Sequence, residues 1–297
     1  MKLKDIKDVL TFRSFRPEPD DGAASWQKRF PKDNTLLINI NKSAVAWAQI
    51  DKGDQISDGG AIEGTFKDVS TQLSDEWLMM TSEGWCAISF STRYVISLEV
   101  NLSRRKGSEE QIKTSPKAAL GAKAERGKRY AVRHNPESNT SVLLAVDEEM
   151  IKSVEKGGGE VGLKIGRVAC GTFSLLTDLI DQVGEARRVH AEANPDSDLG
   201  TIVMIVCCKG SVCALTQQGD NWTELRSRTD LYEGDSMEPV MGIVLPLIEN
   251  AGPGAHVVYM SDNVGSELPG LLQARLPNTK ISDVTVENQL WKKLSDL

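Results

Sequence analysis

The sequence predicts an α/β fold with mixed sheets, built from two similar lobes. Strand candidates come first and helix candidates follow, and this order occurs twice along the chain. Each half also opens with apolar runs joined by short polar turns, as expected for buried antiparallel strands. The chain has 297 residues, which is enough for two coupled lobes around a large core.

The two opening segments align without a gap when the chain is shifted by 166 positions, which places Thr35 on Thr201. TLLINI then lies over TIVMIV, SAVAWAQ over KGSVCAL, and Gly53-Asp54 over Gly219-Asp220. Coincidence is the alternative, because any two buried hairpins have similar patterns. The shared turn position favours a duplication.

The first predicted lobe contains residues 31–195 and follows an N-terminal extension, residues 1–30, that is marked by Pro17, Pro19 and Gly22. Helices are expected at 69–82, 108–123, 148–156 and 173–193. Pro116 interrupts the helical pattern of the second, and three glycines follow the third. Strands are expected at 35–40, 42–50, 55–64, 86–90, 94–100 and 162–170, with a hairpin over 128–147.

The second predicted lobe contains residues 196–297, including a C-terminal return. It begins after the Asn194-Pro195-Asp196 loop that closes the preceding helix. Its strands are expected at 200–207, 211–217, 221–228, 256–261 and 280–286, and its helices at 237–251 and 267–276.

Composition predicts a cytoplasmic protein. No apolar run approaches the roughly 18 residues of a spanning helix, and the start of the chain lacks the pattern of a signal peptide. The net charge of −7 argues against a dedicated nucleic-acid binder. The odd number of cysteines, all but one within apolar segments, favours reduced, buried thiols: Cys86, Cys170, Cys207, Cys208 and Cys213.

Basic residues concentrate between Arg104 and Arg133, where ten Lys or Arg face three acidic residues. The ordinary interpretation is a solvated helix face with flexible turns. The alternative is a docking surface for an acidic tail or an anionic lipid, and Arg104, Arg105 and Lys106 are then the partner-binding residues.

Four segments carry a resemblance to a known superfamily: residues 36–50, 142–176, 201–215 and 256–281. Their order of strands, glycine turns and helices resembles the actin, sugar-kinase and Hsp70 superfamily, which has an actin-like (ribonuclease H-like) fold. Within it, residues 35–290 resemble the PilM-type pilus assembly proteins and the cytoplasmic domain of GspL-type secretion proteins. The C-terminus at Leu297, without a spanning helix, is similar to the stand-alone PilM arrangement.

Active members of this superfamily hold magnesium-bound triphosphate between two hairpins, each with an Asp for the metal and a Gly where backbone approaches phosphate. The resemblance places these positions at Asn39-Ile40-Asn41 and Ile205-Val206-Cys207, so both acids and both glycines are absent. On the adenosine side a Gly-Gly turn is replaced by Ser261-Asp262-Asn263. The resemblance thus implies a degenerate cofactor-binding cleft at Asn39, Asn41, Ser43, Ser211, Asp262 and Asn263.

Other catalytic patterns are weak, so we predict no catalytic residue and no metal site. His134, His190 and His256 lack the close spacing of a triad or a metal set. The Cys207-Cys208-x4-Cys213 cluster lacks zinc spacing, and the glycines at 157–159 follow a helix, where a helix cap is expected rather than a phosphate loop.

The resemblance implies a non-catalytic scaffold at the cytoplasmic face of the inner membrane. It would bind the short cytoplasmic tail of an inner-membrane assembly protein and couple a type IV pilus or type II secretion-like platform to its motor ATPase. No cofactor is expected, and weak ATP binding without turnover stays open.

Two other functions stay open at this point. The first is a divergent actin-like ATPase or sugar-kinase-like enzyme that holds its metal with Asp262 or with other acids that the sequence does not identify. The second is a filament protein of a phage or plasmid, which would have to polymerise.

Overall fold

The computed structural model describes residues 34–296 except for 42, 52–54, 82, 91–93, 101–107, 195–198, 230 and 232–236. The predicted N-terminal extension, residues 1–30, lies outside the described residues. The same holds for Gly53-Asp54, the first half of the turn match in the predicted repeat.

Thirteen strands and nine α-helices are present in the described part of the chain. In chain order the strands are β1 (Thr35–Ile40), β2 (Ala44–Ile50), β3 (Ile56–Glu63), β4 (Trp85–Phe90), β5 (Tyr94–Val100), β6 (Lys128–His134), β7 (Thr140–Asp147), β8 (Lys164–Cys170), β9 (Ile202–Cys208), β10 (Ser211–Gln218), β11 (Asn221–Arg228), β12 (His256–Ser261) and β13 (Lys280–Asp283). The helices are α1 (Phe66–Gln72), α2 (Ser74–Met79), α3 (Ser108–Thr114), α4 (Pro116–Leu120), α5 (Glu148–Glu160), α6 (Gly171–Ala193), α7 (Glu238–Ala251), α8 (Leu268–Arg275) and α9 (Gln289–Asp296).

Two five-stranded sheets have the same plan. The first has the order β3-β2-β1-β4-β8 and the second the order β11-β10-β9-β12-β13. In each sheet the three opening strands are antiparallel and the two later strands run parallel to the first. The predicted α/β plan with duplicated, mixed sheets is therefore confirmed.

Both sheets are covered by helices on both faces, and they share one layer between them. Helices α6 and α9 lie in that layer, where one apolar cluster joins Leu37 and Ala87 of the first sheet to Met204 and Met260 of the second. The outer face of the first sheet packs against α1, α2 and α5, and that of the second against α7 and α8. Every residue of β9 is buried, because its side chains point alternately towards these two covered faces.

A third sheet, with the order β5-β7-β6, is inserted between β4 and α5 and carries α3 and α4. It also reaches the second five-stranded sheet. Trp222 at the start of β11 donates its backbone N–H to Thr140 Oγ1 at 3.2 Å, and Asn135 Nδ2 donates to the Asp220 carbonyl at 2.7 Å. The insert therefore bridges the two halves of the chain.

The helix predicted at 69–82 is wrong in its bounds. In the structure, α1 begins at Phe66, the helix breaks at Leu73, and α2 then ends at Met79. The earlier start follows from a cap, because Thr65 Oγ1 accepts a hydrogen bond from the Asp68 backbone N–H at 3.3 Å. The helix expected at 108–123 is likewise divided, since Pro116 disfavours helical geometry at Ser115.

The three glycines at 157–159 do not end α5, contrary to the prediction. The helix continues to Glu160 and stops at Gly162, which has a φ of 82° and whose neighbour Leu163 donates to the Gly158 carbonyl at 2.9 Å. Gly158 instead meets a packing constraint. A Cβ there would lie 2.6 Å from Ile165 Cδ1, so the glycine lets α5 approach β8 closely.

Within the described part of the chain, no helix combines the length and the hydropathy that a membrane span requires.

Two glycines of α6 give a matched test of the contact between the sheets. We expect Gly171→Ala to lower the free energy of unfolding by about 1–3 kcal/mol, because its Cβ would crowd Ser89, Leu290 and Cys208 at 2.8–3.1 Å. Gly184→Ala has no neighbour within 4 Å and should raise it by up to about 1 kcal/mol. Urea unfolding measures both changes, and equal stability of the two variants would contradict the packing argument.

Candidate functional site

The candidate site lies at the start of α6, beside the carboxyl ends of β4 in the first sheet and β9 in the second. A Cβ on Gly171 would lie 2.8 Å from Ser89 Oγ in the first sheet and 3.1 Å from Cys208 Sγ in the second. The opening hairpins of the two sheets, β1–β2 and β9–β10, end beside this point. This is the position at which a ligand between the two sheets would be held.

The first hairpin places a neutral amide where the sequence comparison expects an acid. Asn39 is fully buried in β1 and pairs in register with Ser89 of β4. Its Nδ2 donates to Asn41 Oδ1 at 3.3 Å, and the Asn41 N–H donates to the Ala44 carbonyl at 2.9 Å. The two asparagines therefore stabilise the turn, while Ser43 is exposed.

Three buried oxygens near Gly171 have no hydrogen-bond partner among the described residues. They are Asn39 Oδ1, Ser89 Oγ and Thr172 Oγ1. Amide and hydroxyl groups are neutral hydrogen-bonding groups, so this cluster could orient a polar ligand or a water molecule but supplies no charge to a cation.

The second hairpin turns tightly through Lys209 and Gly210, both with positive φ, at 44° and 81°. Two successive positive φ values are typical of a type I′ turn. Ile205, which stands at the expected position of the second acid, is fully buried and packs with α7 and α8. Ser211 is also fully buried.

Lys209 is paired with Asp262 across the mouth of the second hairpin. Its Nζ lies 3.3 Å from Asp262 Oδ2, and its backbone N–H donates to Asp262 Oδ1 at 3.4 Å. The Asp262 side chain is only 7% exposed, and its own N–H donates to the Cys207 carbonyl at 3.2 Å. The one carboxylate of the predicted site is therefore compensated within the protein.

The turn after β12 is also closed by internal hydrogen bonds. Ser261 Oγ accepts from the Asn263 N–H at 3.1 Å, and Asn263 Oδ1 accepts from the Gly265 N–H at 2.9 Å. Side chains that bond the backbone two residues ahead stabilise such turns without glycine pairs. These N–H groups are thus already satisfied on the adenosine side.

The cysteine thiols are buried and protonated at neutral pH. Burial raises the pKa of the Cys170 and Cys207 thiols to about 12 and raises the pKa of Cys208 further from its usual value. All five cysteines are free and buried, as the sequence predicts. A neutral thiol is a poor nucleophile and metal ligand, so these side chains belong to the core.

The three histidines lie on separate elements, β6, α6 and β12. His134 contacts Ser108 Oγ at 3.0 Å and Ser141 Oγ at 2.8 Å, while His256 contacts Ser282 Oγ at 2.9 Å. Burial, and secondarily Lys280, lowers the pKa of His256. Among the residues that the structure describes, no group of three or more His, Cys, Asp or Glu could hold a metal ion.

The described residues do not fit magnesium-bound ATP. Mg²⁺ requires oxygen ligands, usually including carboxylates, in near-octahedral geometry. Asn39 offers a neutral oxygen, Ile205 offers none, and Asp262 is already paired with Lys209. The structure thus places all six predicted cleft residues at the ends of the two sheets, as turn and core residues.

Sequence reasoning missed three side chains at this site: Ser89, Thr172 and Lys209. The signal for Lys209 was present, because a lysine directly before Gly210 stands in the hairpin that should approach phosphate. Its partner Asp262, which directly follows β12, could not be identified from the sequence. The predicted partner-binding residues Arg104, Arg105 and Lys106 lie outside the described residues.

No protein-family model matches the chain, and neither does any curated protein sequence. Similar solved structures exist. The PilM-PilN type IV pilus biogenesis complex has a TM-score of 0.53 and 12% identity, over 89% of this chain and 90% of that chain. A Bacteroides thetaiotaomicron protein with an actin-like ATPase fold and unknown function has a TM-score of 0.51 and 9% identity, over 90% and 97%.

The cytoplasmic domain of EpsL, an inner membrane component of the type II secretion system of Vibrio cholerae, is similar at a TM-score of 0.49 and 8% identity, over 88% of this chain and 93% of that chain. Identities this low are informative about the fold alone. Together with the two sheets of identical plan, the likeness to the first two structures shows that this chain has the actin-like fold.

Proposed function

We propose that this chain is a non-catalytic cytoplasmic scaffold, peripheral to the inner membrane, of a type IV pilus or type II secretion-like assembly platform. In this function it binds the short tail of an inner-membrane partner. We also propose that residues 31–195 and 196–297 form its two lobes. Similarity of fold to a pilus biogenesis protein supports the proposal, although fold alone does not fix function.

The ion pair between Lys209 and Asp262 is the observation that carries the proposal. An actin-like nucleotide site requires a carboxylate that is available to hydrated metal and a hairpin that is open to phosphate. Here the ammonium group of Lys209 lies 3.3 Å from Asp262, the carboxylate on which the enzyme alternative depends. A metal that used the Asp262 carboxylate would have to compete with this ion pair.

The first test is thermal unfolding with magnesium and ATP. We expect no shift of Tm at millimolar nucleotide, because the cleft offers no charge to the metal. A ligand that binds only the folded state at a hundredfold excess over Kd would stabilise it by about 2.7 kcal/mol.

An active actin-like kinase serves as the positive control, and magnesium with sulfate as the control for ionic strength. A nucleotide-dependent rise in Tm accompanied by ATP hydrolysis, both lost in Asp262→Asn, would support the enzyme alternative and contradict the non-catalytic scaffold.

The second test is a double-mutant cycle on the ion pair. We expect Asp262→Asn to lower the free energy of unfolding by about 1–2 kcal/mol, because it removes a largely buried charged hydrogen bond. Lys209→Asn removes the ammonium group and suits the positive φ of the turn. Asp262→Asn should therefore lower the free energy of unfolding much less in the Lys209→Asn background than in the unmodified chain.

Urea unfolding of the four proteins measures the coupling energy. Additive changes in the free energy of unfolding would mean that the two side chains do not stabilise each other. That result would contradict the proposal that this ion pair closes the hairpin.

The third test concerns the basic segment, which we propose as a contact for an anionic partner. We expect charge reversal of Arg104, Arg105 and Lys106 to glutamate to reduce capture of the inner-membrane partner from detergent-solubilised membranes of the source cells. The matched control replaces the same residues with Lys, Lys and Arg and keeps the charge. Unchanged capture by the reversed variant, measured by quantitative mass spectrometry, would exclude the segment as the contact.

A further inference from the structure

A second concave site lies away from the cleft, on the other half of α6. It is a groove of about 650 Å³ between α6, the β6–β7 turn and the β10–β11 turn. This volume is within the range of pockets that hold ligands. Two hydrogen bonds join the turns on either side and hold the groove open. Asn135 Nδ2 donates to the Asp220 carbonyl, and the Trp222 backbone N–H donates to Thr140 Oγ1. It therefore needs no rearrangement to form.

The groove has an apolar floor and an acidic lining. Ile180, Leu199 and Trp222 belong to the apolar cluster between the sheets. Five carboxylates line the groove against two arginines. The carboxylates are those of Glu137, Asp181, Glu185, Glu192 and Asp220.

Both arginines of the lining are already paired. Arg187 lies 3.6 Å from Asp220, and Arg188 lies 2.6 Å from both Glu185 and Glu192. Asp181 is also paired, with Arg133 outside the lining. Five carboxylates against these three arginines still leave the groove negative. A positively charged ligand complements such a surface, both in the encounter and in the bound state.

Gly184 leaves a gap in the helical wall of the groove. It lies in the interior of α6, where glycine is less favourable than alanine by about 0.5–1 kcal/mol. A Cβ at this position would have no neighbour within 4 Å, so no packing contact among the described residues requires the glycine. Its effect is to keep the groove wide at its middle.

The groove also contains a buried polar atom that lacks a partner. His190 Nε2 lines the same wall and makes no hydrogen bond with any described residue. Buried polar atoms are usually hydrogen-bonded, so an unpaired one in a concave site indicates a missing ligand group or water.

The length of the groove suits an extended peptide. Its lining runs along α6 from Ile180 to Glu192, a rise of about 18 Å. That distance corresponds to about five residues of extended chain.

We infer that this groove binds an extended peptide in which lysine or arginine alternates with apolar residues, supplied by the cytoplasmic tail of the membrane partner. This inference rests on the proposed function. Cytoplasmic segments next to a membrane span carry an excess of lysine and arginine, which matches the acidic lining. The basic segment around Arg104 would then contact a separate, acidic part of the partner.

Fluorescence anisotropy of the full chain with a fluorescein-labelled peptide of alternating leucine and lysine tests the inference. We expect binding that weakens with salt, and no binding of the matching leucine–glutamate peptide. Gly184→Leu fills the gap in the wall and should weaken binding by about tenfold or more. Because glycine already weakens the helix, this variant should remain folded.

Gly242→Leu is the matched control. Gly242 is also exposed in a helix with no neighbour within 4 Å, but α7 covers the opposite face of the second sheet. We expect this variant to bind the peptide as the unmodified chain does. Equal binding by the Gly184→Leu and Gly242→Leu variants, or equal binding of the acidic peptide, would overturn the inference.

A second arm separates this inference from the proposed function. Capture of the inner-membrane partner by the Gly184→Leu and Gly242→Leu variants is compared in the same membrane extract. If both capture it equally, the groove is excluded while the scaffold function stands. If the leucine–lysine peptide binds in the groove but ATP hydrolysis that depends on Asp262 is also found, the groove stands and the non-catalytic scaffold function fails.

Discussion

The close approach of the two sheets at the start of α6 is the constraint on which the rest of the structure depends. Gly171 lies where a side chain would meet Ser89, Cys208 and Leu290, so β4, β9 and α9 converge on a position that admits only hydrogen. Past this point α6 continues between the sheets and buries Leu175, Leu176 and Leu179 in the shared apolar cluster. The relative position of the two halves is therefore set by packing, with no need for a ligand to hold them together.

Internal pairs occupy the positions at which an actin-like enzyme contacts its ligand. Asn39 bonds Asn41, Lys209 bonds Asp262, and Asn263 bonds Gly265. Each pair satisfies groups that would otherwise require a ligand or water, because buried polar groups without partners are costly. The groove on the far half of α6 has a different character, since its carboxylates outnumber its arginines.

Strands were predicted more reliably than helices, and the reasons are visible in particular residues. Apolar runs such as β1 and β9 are covered on both faces, so their pattern is continuous and bounded by polar turns. The start of α1 at Phe66 lies three residues before the predicted one, because a cap by Thr65 sets it and not the apolar periodicity. The end of α5 was misplaced because Gly157–Gly159 were interpreted as a stop, whereas contact with Ile165 requires a glycine at 158.

The sequence by itself determined the order of elements, the duplicated opening hairpins and the absence of a carboxylate at positions 39 and 205, because these depend on residues that are neighbours along the chain. Only the tertiary structure decided that Lys209 meets Asp262, that Asn135 meets Asp220, and that α6 has a groove beside Gly184. The residues of the two contacts are separated by 53 and 85 positions. Periodicity reports which face of an element is buried, but it carries no information about which distant element covers that face.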